Sequence, residues 1–330
     1  MSVGREFMAR YIIKRILWLI PITILVIVFV YTILFFAPVD RAHAALGMAA
    51  SEEAIAEFNA KNGLDRGYLG GLILYFEKLA HGDMGVSYYT NVSVSKQILA
   101  RLPYTVLLAI LATTFGVVVG LPMGILAATH QNSWLDSLTM ALTMFFSAMP
   151  TFWFALILVM IFSLNLRWLP SVGYESWKNY IMPVISIGLQ LSAIIARQTR
   201  SSMLEVIRSD YVSTARAKGQ KESRIIKDHV LRNGSIPVIT VAGGSLAALM
   251  GGALLIEQIF TIPGLGTYLF AGIASLDIPV VLGCVTMLSV FHGLIIVIVD
   301  IIYTFVDPRM KVAIIQSNAQ KKTLRRGAAI

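Results

Sequence analysis

Residues 210–233 read DYVSTARAKGQKESRIIKDHVLRN. The stretch is basic and helix-prone, and a single glycine, Gly219, divides it. Asp210 is placed to cap a first helix, which Ser213, Ala215 and Ala217 keep slim. Lys218 meets the negative end of that helix, and Gly219 supplies a left-handed stop. A second helix is expected from Lys221 to Leu231. Ile225, Ile226, Val230 and Leu231 give it an apolar side, and Lys221, Arg224, Lys227 and Arg232 a basic one. Pro237 then opens a long apolar run. A patterned helix–glycine–helix unit is more than a connection between two apolar runs needs. It suits a pair of helices lying on lipid, a store of positive charge that fixes orientation, or a plug for the groove of a cytoplasmic partner. The small residues ahead of Gly219 fit the plug.

The surrounding chain is oily. Of its 330 residues 57% are hydrophobic and 14% charged, where a soluble domain carries about 25% charge. That balance is the mark of a polytopic membrane protein. The net charge of +9 then reads as cytoplasmic loops, not as a nucleic-acid surface. Cys284 is the only cysteine, which excludes an intramolecular disulfide and a cysteine-based metal site. No two of the five histidines stand at helical ligand spacing, so no metal site is expected.

Six apolar segments are long enough for membrane helices, at about 20 residues each: residues 12–36, 104–128, 138–164, 181–196, 238–255 and 279–306. The fourth is the shortest and is flanked by polar residues. The first, some 25 residues long, exceeds the 7–15 apolar residues of a signal peptide and is expected to stay as a helix. Lys and Arg crowd the N-terminus, the 197–236 loop and the basic tail 307–330, while residues 261–278 carry neither. Six spans with both termini in the cytoplasm satisfy this distribution. Residues 37–100 then form an external cap of short helices. One starts at Ser51 and stops at Asn62-Gly63, and another lies within residues 72–79. The five-helix core occupies residues 101–306.

No nucleotide-binding G-x-x-x-x-G-K-[ST], H-E-x-x-H or G-x-S-x-G motif occurs, so no enzyme active site is expected. No ionisable side chain lies between Leu138 and Asn165 or between Pro237 and Ile256, and no inverted repeat is visible. Both absences weigh against a proton-coupled carrier; a non-transporting membrane scaffold is the other rival. Ala112, Gly116, Gly120, Gly124 and Ala128 form a small-residue stripe on the second span. Gly243, Gly244, Ala247, Gly251 and Gly252 form a broader one on the fifth. Such stripes serve close helix packing or a path that opens and closes. Pro122 and Pro150 are placed to kink their helices.

Y-V-S-T-A-R-A-K-G at Tyr211–Gly219, followed by His229, Leu231-Arg232-Asn233 and Pro237, resembles the E-A-A-type loop of ATP-binding-cassette importer permeases. Ser213 stands where many of them have the glutamate. Further matches are to the first permease subunit of dipeptide, oligopeptide and nickel importers. They include G-D-M-G-V-S at Gly82–Ser87, R-L-P-Y-T at Arg101–Thr105 and S-A-M-P-T-F-W at Ser147–Trp153. E-Q-I-F-T-I-P-G-L-G at Glu257–Gly266, D-I-P-V-V at Asp277–Val281 and the closing D-I-I-Y-T-F-V-D-P-R at Asp300–Arg309 complete the series. Pro38-Val39-Asp40 and Leu276 depart from the usual pattern.

The resemblance implies an all-α type I importer permease with six transmembrane helices and a cytoplasmic coupling helix, in a bacterial or archaeal inner membrane. It implies a second permease, two ATPase subunits that bind ATP and Mg, and an extracytoplasmic substrate-binding protein. Tyr211, Ser213, Thr214, Ala215, Ala217, Gly219, His229, Arg232 and Asn233 would meet the ATPase. Gly82, Asp83, Gly85, Ser87, Pro263, Gly264, Gly266 and Asp277 would belong to the receptor-facing loops. The small residues of the fifth span would line the path or pack beside it. Peptides are the expected cargo; nickel chelates, opines and sugars are the alternatives.

Overall fold

The computed structural model of the chain describes residues 2–38 and 41–306. The basic tail from residue 307, and Val39 and Asp40 of the departure at Pro38-Val39-Asp40, lie outside the described residues. Among those described, all regular structure is helical except one isolated bridge between Val86 and Ser93.

Helix α1 (Ser2–Phe36) is unbroken over 35 residues. It leans on the last helix through an Arg15–Asp300 ion pair of 2.6 Å and a Thr23–Ser289 hydroxyl contact of 3.4 Å. A group of short helices follows as α2 (Arg41–Leu46), α3 (Glu52–Asn62) and α4 (Gly67–Ala80). The Ser51 hydroxyl accepts the Ala54 N–H, and Gly63 closes α3 at φ 69°, so this helix starts and stops where its sequence says. The next helix is longer than residues 72–79. Tyr68, in its first turn, shares a 2.8 Å hydroxyl bond with Thr32 of α1.

Helix α5 (Val94–Thr129) begins ten residues before the apolar run at 104, because Val94 and Ile98 are buried beside Val280 and Cys284. Pro103 and Pro122 lie inside α5 without ending it. Its stripe of small residues is buried against α8 (Lys178–Ile207). A Cβ on Gly120 would sit 2.5 Å from the Ser192 carbonyl oxygen, and one on Gly124 2.6 Å from that of Ala196. In α5 the stripe therefore serves close backbone packing.

The single span expected over 138–164 is broken. Helices α6 (Trp134–Ala148) and α7 (Thr151–Asn165) meet at 97°. Pro150 has no N–H to continue the ladder, and it pushes Met149 into the extended region (φ −78°, ψ 130°). The residues between α7 and α8 return as a loop tied by a Gly173 N–H bond to the Phe260 carbonyl.

The fourth span was read as short, over 181–196. It is the 30-residue α8, with 67% of its apolar window buried against 11% for α1. Its modest hydropathy reflects a central position: Ser186, Ser192, Thr199 and Ser202 turn their hydroxyls onto carbonyls of their own helix. Arg197 and Arg200, placed by sequence in a free loop from residue 197, lie instead in the last turns of α8.

The remainder runs through α9 (Asp210–Ala217), α10 (Glu222–Gly234), α11 (Ile236–Gly252), α12 (Leu254–Ile259), α13 (Leu265–Ala274) and α14 (Ile278–Val306). Helices α10 and α11 meet at 44°, with Pro237 in the first turn of α11. Among the described residues four helices, α1, α5, α8 and α14, are each long and apolar enough to cross a membrane. The bent pairs α6–α7 and α10–α11 bring the number to six.

Candidate functional site

The first candidate region is the helix–glycine–helix unit at residues 210–233. Ser209, not Asp210, is the cap residue of α9; its backbone is extended (φ −74°, ψ 150°) and Asp210 is already helical. The far end closes as expected. Gly219 adopts φ 76°, its N–H bonds the Arg216 carbonyl at 2.9 Å, and the Gln220 N–H bonds the Ala215 carbonyl at 3.3 Å. This paired pattern is a Schellman motif, which needs a left-handed residue and so favours glycine.

Val212 and Ala215 point α9 at its own chain. They are buried in a cluster with Ala128, Met203, Leu204, Ile225 and Val230. Ala215, read as part of the fit to a partner, therefore packs internally; a larger side chain would displace α9. Tyr211, Ser213, Thr214, Ala217 and Gly219 remain exposed along the outer face, as do Arg232 and Asn233 of α10. Asn233 donates to the Tyr211 hydroxyl at 3.0 Å, and half-buried His229 contacts the Gln220 side chain at 3.3 Å. Arg216 and Glu222 pair across the glycine turn at 2.6 Å.

A rigid bracket surrounds this unit. Arg200 forms a two-pronged ion pair with Asp136 at the start of α6, at 2.6 and 2.7 Å, and Asp136 also accepts the Asn132 N–H. Arg197 reaches the Thr143 carbonyl and the Ser147 hydroxyl of α6. Ser202 of α8 donates to the Gly234 carbonyl of α10 at 2.7 Å. By sequence these arginines count as loop charge. Asp136, three residues beyond a plausible cap at Ser133, was the signal that a helix start lay nearby to receive them.

The second region lies past the other end of α11. Gly82 and Asp83 are exposed, and Gly85 and Pro263 are half-buried. Ser87, Gly264, Gly266 and Asp277 are buried within this chain, so their side chains shape these loops from beneath. Their place is structural. Ser87 donates to Asp277 at 2.6 Å. Gly264 and Gly266 make room for the carboxylate of Glu257, which a Cβ on either would strike. Glu257 accepts the Thr105 hydroxyl at 2.6 Å and the Thr267 N–H at 3.1 Å, and the Gly266 N–H faces it as well. Burial raises the Glu257 carboxyl above its usual range, against the pull of these donors and of Arg101. In the sequence Glu257 stands out only as the first residue of the E-Q-I-F-T-I-P-G-L-G stretch.

The third region is α11 itself. A Cβ on Gly243 would collide with Val299 of α14, and Ala247 is fully buried. Nothing lies within 4 Å of a Cβ on Gly244 or Gly251. Seven residues apart, these two share a helix face with Ala248, which is exposed. Gly252 ends the helix. The stripe thus divides into a packed side and an open one. Among the described residues no cluster of His, Cys, Asp and Glu could hold a metal.

Residues 120–312, which hold every element from mid-α5 onward, match the model of the binding-protein-dependent transport system inner membrane component. Residues 8–109 match that of its N-terminal region. The chain belongs to this family. The permease is 38% identical to the dipeptide transport system permease protein DppB of Alkalihalophilus pseudofirmus, over 92% of this chain and all of that protein. It is 37% identical to a putative peptide transport system permease protein of Brucella abortus, covering 92% of this chain and 99% of that one. The glutathione transport system permease protein GsiC of Escherichia coli is 34% identical, again over 92% and 99%. A chain of the inward-facing MetNI methionine ABC transporter shares the fold with a TM-score of 0.55 at 20% identity, over 64% of this chain and 96% of that one.

The protein is a permease subunit of a binding-protein-dependent ABC importer. It is a multi-pass inner membrane protein that works with other transporter subunits. These relatives are named as transport system permease proteins.

Proposed function

We propose that this permease carries short peptides inward, forming half of the path with a second permease above two cytoplasmic ATPase subunits that bind ATP and Mg. The observation that carries the reading is the build of α9. Val212 and Ala215 fix it to its own chain, the Schellman motif at Gly219 ends it sharply, and Ser213, Thr214 and Ala217 leave a slim exposed face. A short, capped helix with a smooth outer side suits a groove in a partner whose movement it passes to α8 and α11. Tyr211, His229, Arg232 and Asn233 hold or flank that face.

Charge supports an orientation with both termini in the cytoplasm. Seven Lys and Arg residues lie between Arg208 and Arg232, and residues 261–278 have none. The exposed residues Gly82 and Asp83 and the loop around Pro263 then face the substrate-binding protein. The open side of α11, at Gly244 and Gly251, suits the path, and the cofactors of the cycle belong to the partners. Relatives named for dipeptides, peptides and glutathione, itself a tripeptide, favour a peptide cargo.

Gly219→Pro tests the coupling. Proline is held near φ −65° and cannot adopt 76°, and it lacks the N–H that bonds Arg216, a loss of about 3 kcal/mol at the cap. The variant is expected to insert and assemble normally, while labelled dipeptide uptake collapses and ATP hydrolysis continues. Uptake at the wild-type rate would sink the assignment of α9. Undiminished peptide uptake after deletion of the permease would remove peptides as its cargo.

A further inference from the structure

We propose that the buried carboxylate of Glu257 is a positioning residue for import, a clamp that sets the outer loop at Thr261–Gly266 in the shape the binding protein docks on. This deepens, and rests on, the reading that this loop faces the binding protein. Glu257 is wholly buried and joins three elements: its own α12, Thr105 of α5, and the first turn of α13. Thr105 is used twice, since its hydroxyl donates to Glu257 and accepts the Leu265 N–H at 2.8 Å. One carboxylate and one hydroxyl thus bind the free N–H groups at the start of α13, where a negative charge is also favoured by the helix dipole.

The loop is shaped around the clamp. The Ile262 N–H returns to the Glu257 carbonyl at 2.8 Å, the Gly264 N–H bonds the Ile262 carbonyl at 2.8 Å, and Thr261 stands exposed at φ 54°. A second carboxylate secures the other end of the hairpin. Asp277, between α13 and α14, accepts the Ser87 hydroxyl, and that hydroxyl accepts the Thr90 N–H at 3.1 Å. The Gly82–Ser87 segment and the Pro263–Gly266 loop are therefore fastened to one rigid hairpin. Glutamate fits a site where two oxygens must reach two elements at once. A receptor surface formed by mostly backbone and small residues has few side chains of its own to recognise, so its shape must be fixed from beneath.

The test uses the whole importer, purified with its binding protein and reconstituted in nanodiscs. ATP hydrolysis is followed against binding-protein concentration for Glu257→Gln, Thr105→Val, Thr105→Ser and Thr261→Trp. Glu257→Gln and Thr105→Val are each expected to raise the half-saturating concentration about tenfold, with the rate at saturation kept within about twofold. Thr105→Ser keeps the hydroxyl and is expected to behave as wild type. Hydrogen exchange at the Leu265 and Thr267 amides is expected to quicken in the first two variants alone. Unchanged half-saturation in both, with exchange quickened, overturns the clamp's role in docking. If Thr261→Trp still weakens docking in that case, only the clamp falls. If Thr261→Trp is silent too, the receptor-facing reading falls with it.

Discussion

Asp136 and Glu257 are both buried carboxylates, set beyond opposite ends of α11, and they are satisfied differently. Asp136 is paired with a guanidinium, Arg200, and fastens α6 to α8. Glu257 has only neutral donors and fastens the Thr261–Gly266 loop itself. At the first end the carboxylate holds the frame, while the working helix α9 rests on apolar contacts through Val212 and Ala215. At the second end the working segment is hydrogen-bonded into place. Apolar contacts are non-directional and tolerate small tilts. Hydrogen bonds between buried groups do not, because an unmade one costs its desolvation. The difference suits the two tasks proposed above, a helix that follows a moving partner and a loop that keeps its shape.

The largest expected effect tests the frame. Arg200→Ala leaves Asp136 buried beside one backbone N–H, which should cost about 3 kcal/mol and lower the thermal midpoint of the purified permease. Replacing both partners with leucine should recover most of that loss, because no unpaired charge remains. A single substitution that proves neutral would mean that Asp136 is hydrated, and the contrast with Glu257 would vanish.

A smaller effect is expected at α9. Val212→Ala removes two buried carbons, at a cost of about 2 kcal/mol. The loss falls on the docking of α9 to its own chain, so transport per ATP should drop while the α6–α8 frame keeps its stability. Midpoint and coupling are measured on the same preparation. A fall in both by equal measure would show α9 to be part of the frame.

These two ends were unequally legible in the sequence. The helix–glycine–helix unit was visible because its signals are local: a charge pattern, a run of small residues and a glycine at the stop. The broken third span carried a local signal too, Pro150, but the uncharged run 138–164 outweighed it. The length and centrality of α8 were hidden, since its serines and threonines lower its hydropathy and are satisfied only by helical carbonyls. The clamp was beyond reach, because Thr105 and Glu257 are 152 positions apart and neither is unusual where it stands. Arg197 and Arg200 misled for the same reason: an arginine's partner is invisible until the helices are packed.

The smallest expected effect separates packing from path within α11. Gly243 and Gly244 are neighbours in sequence and alike in type. Gly243 meets Val299, and Gly244 meets nothing. Alanine at 243 must push α14 aside, an overpacking cost of about 1–3 kcal/mol. Alanine at 244 gains helix propensity instead, up to about 1 kcal/mol, and should leave the midpoint unchanged or slightly raised. If the open face lines the path, one added methyl there should still slow uptake, without loss of stability. Slower uptake in a permease as stable as wild type cannot come from poor folding, so it would assign that face to the moving cargo. Equal uptake would leave Gly244 as lipid-facing or partner-facing surface and place the path elsewhere.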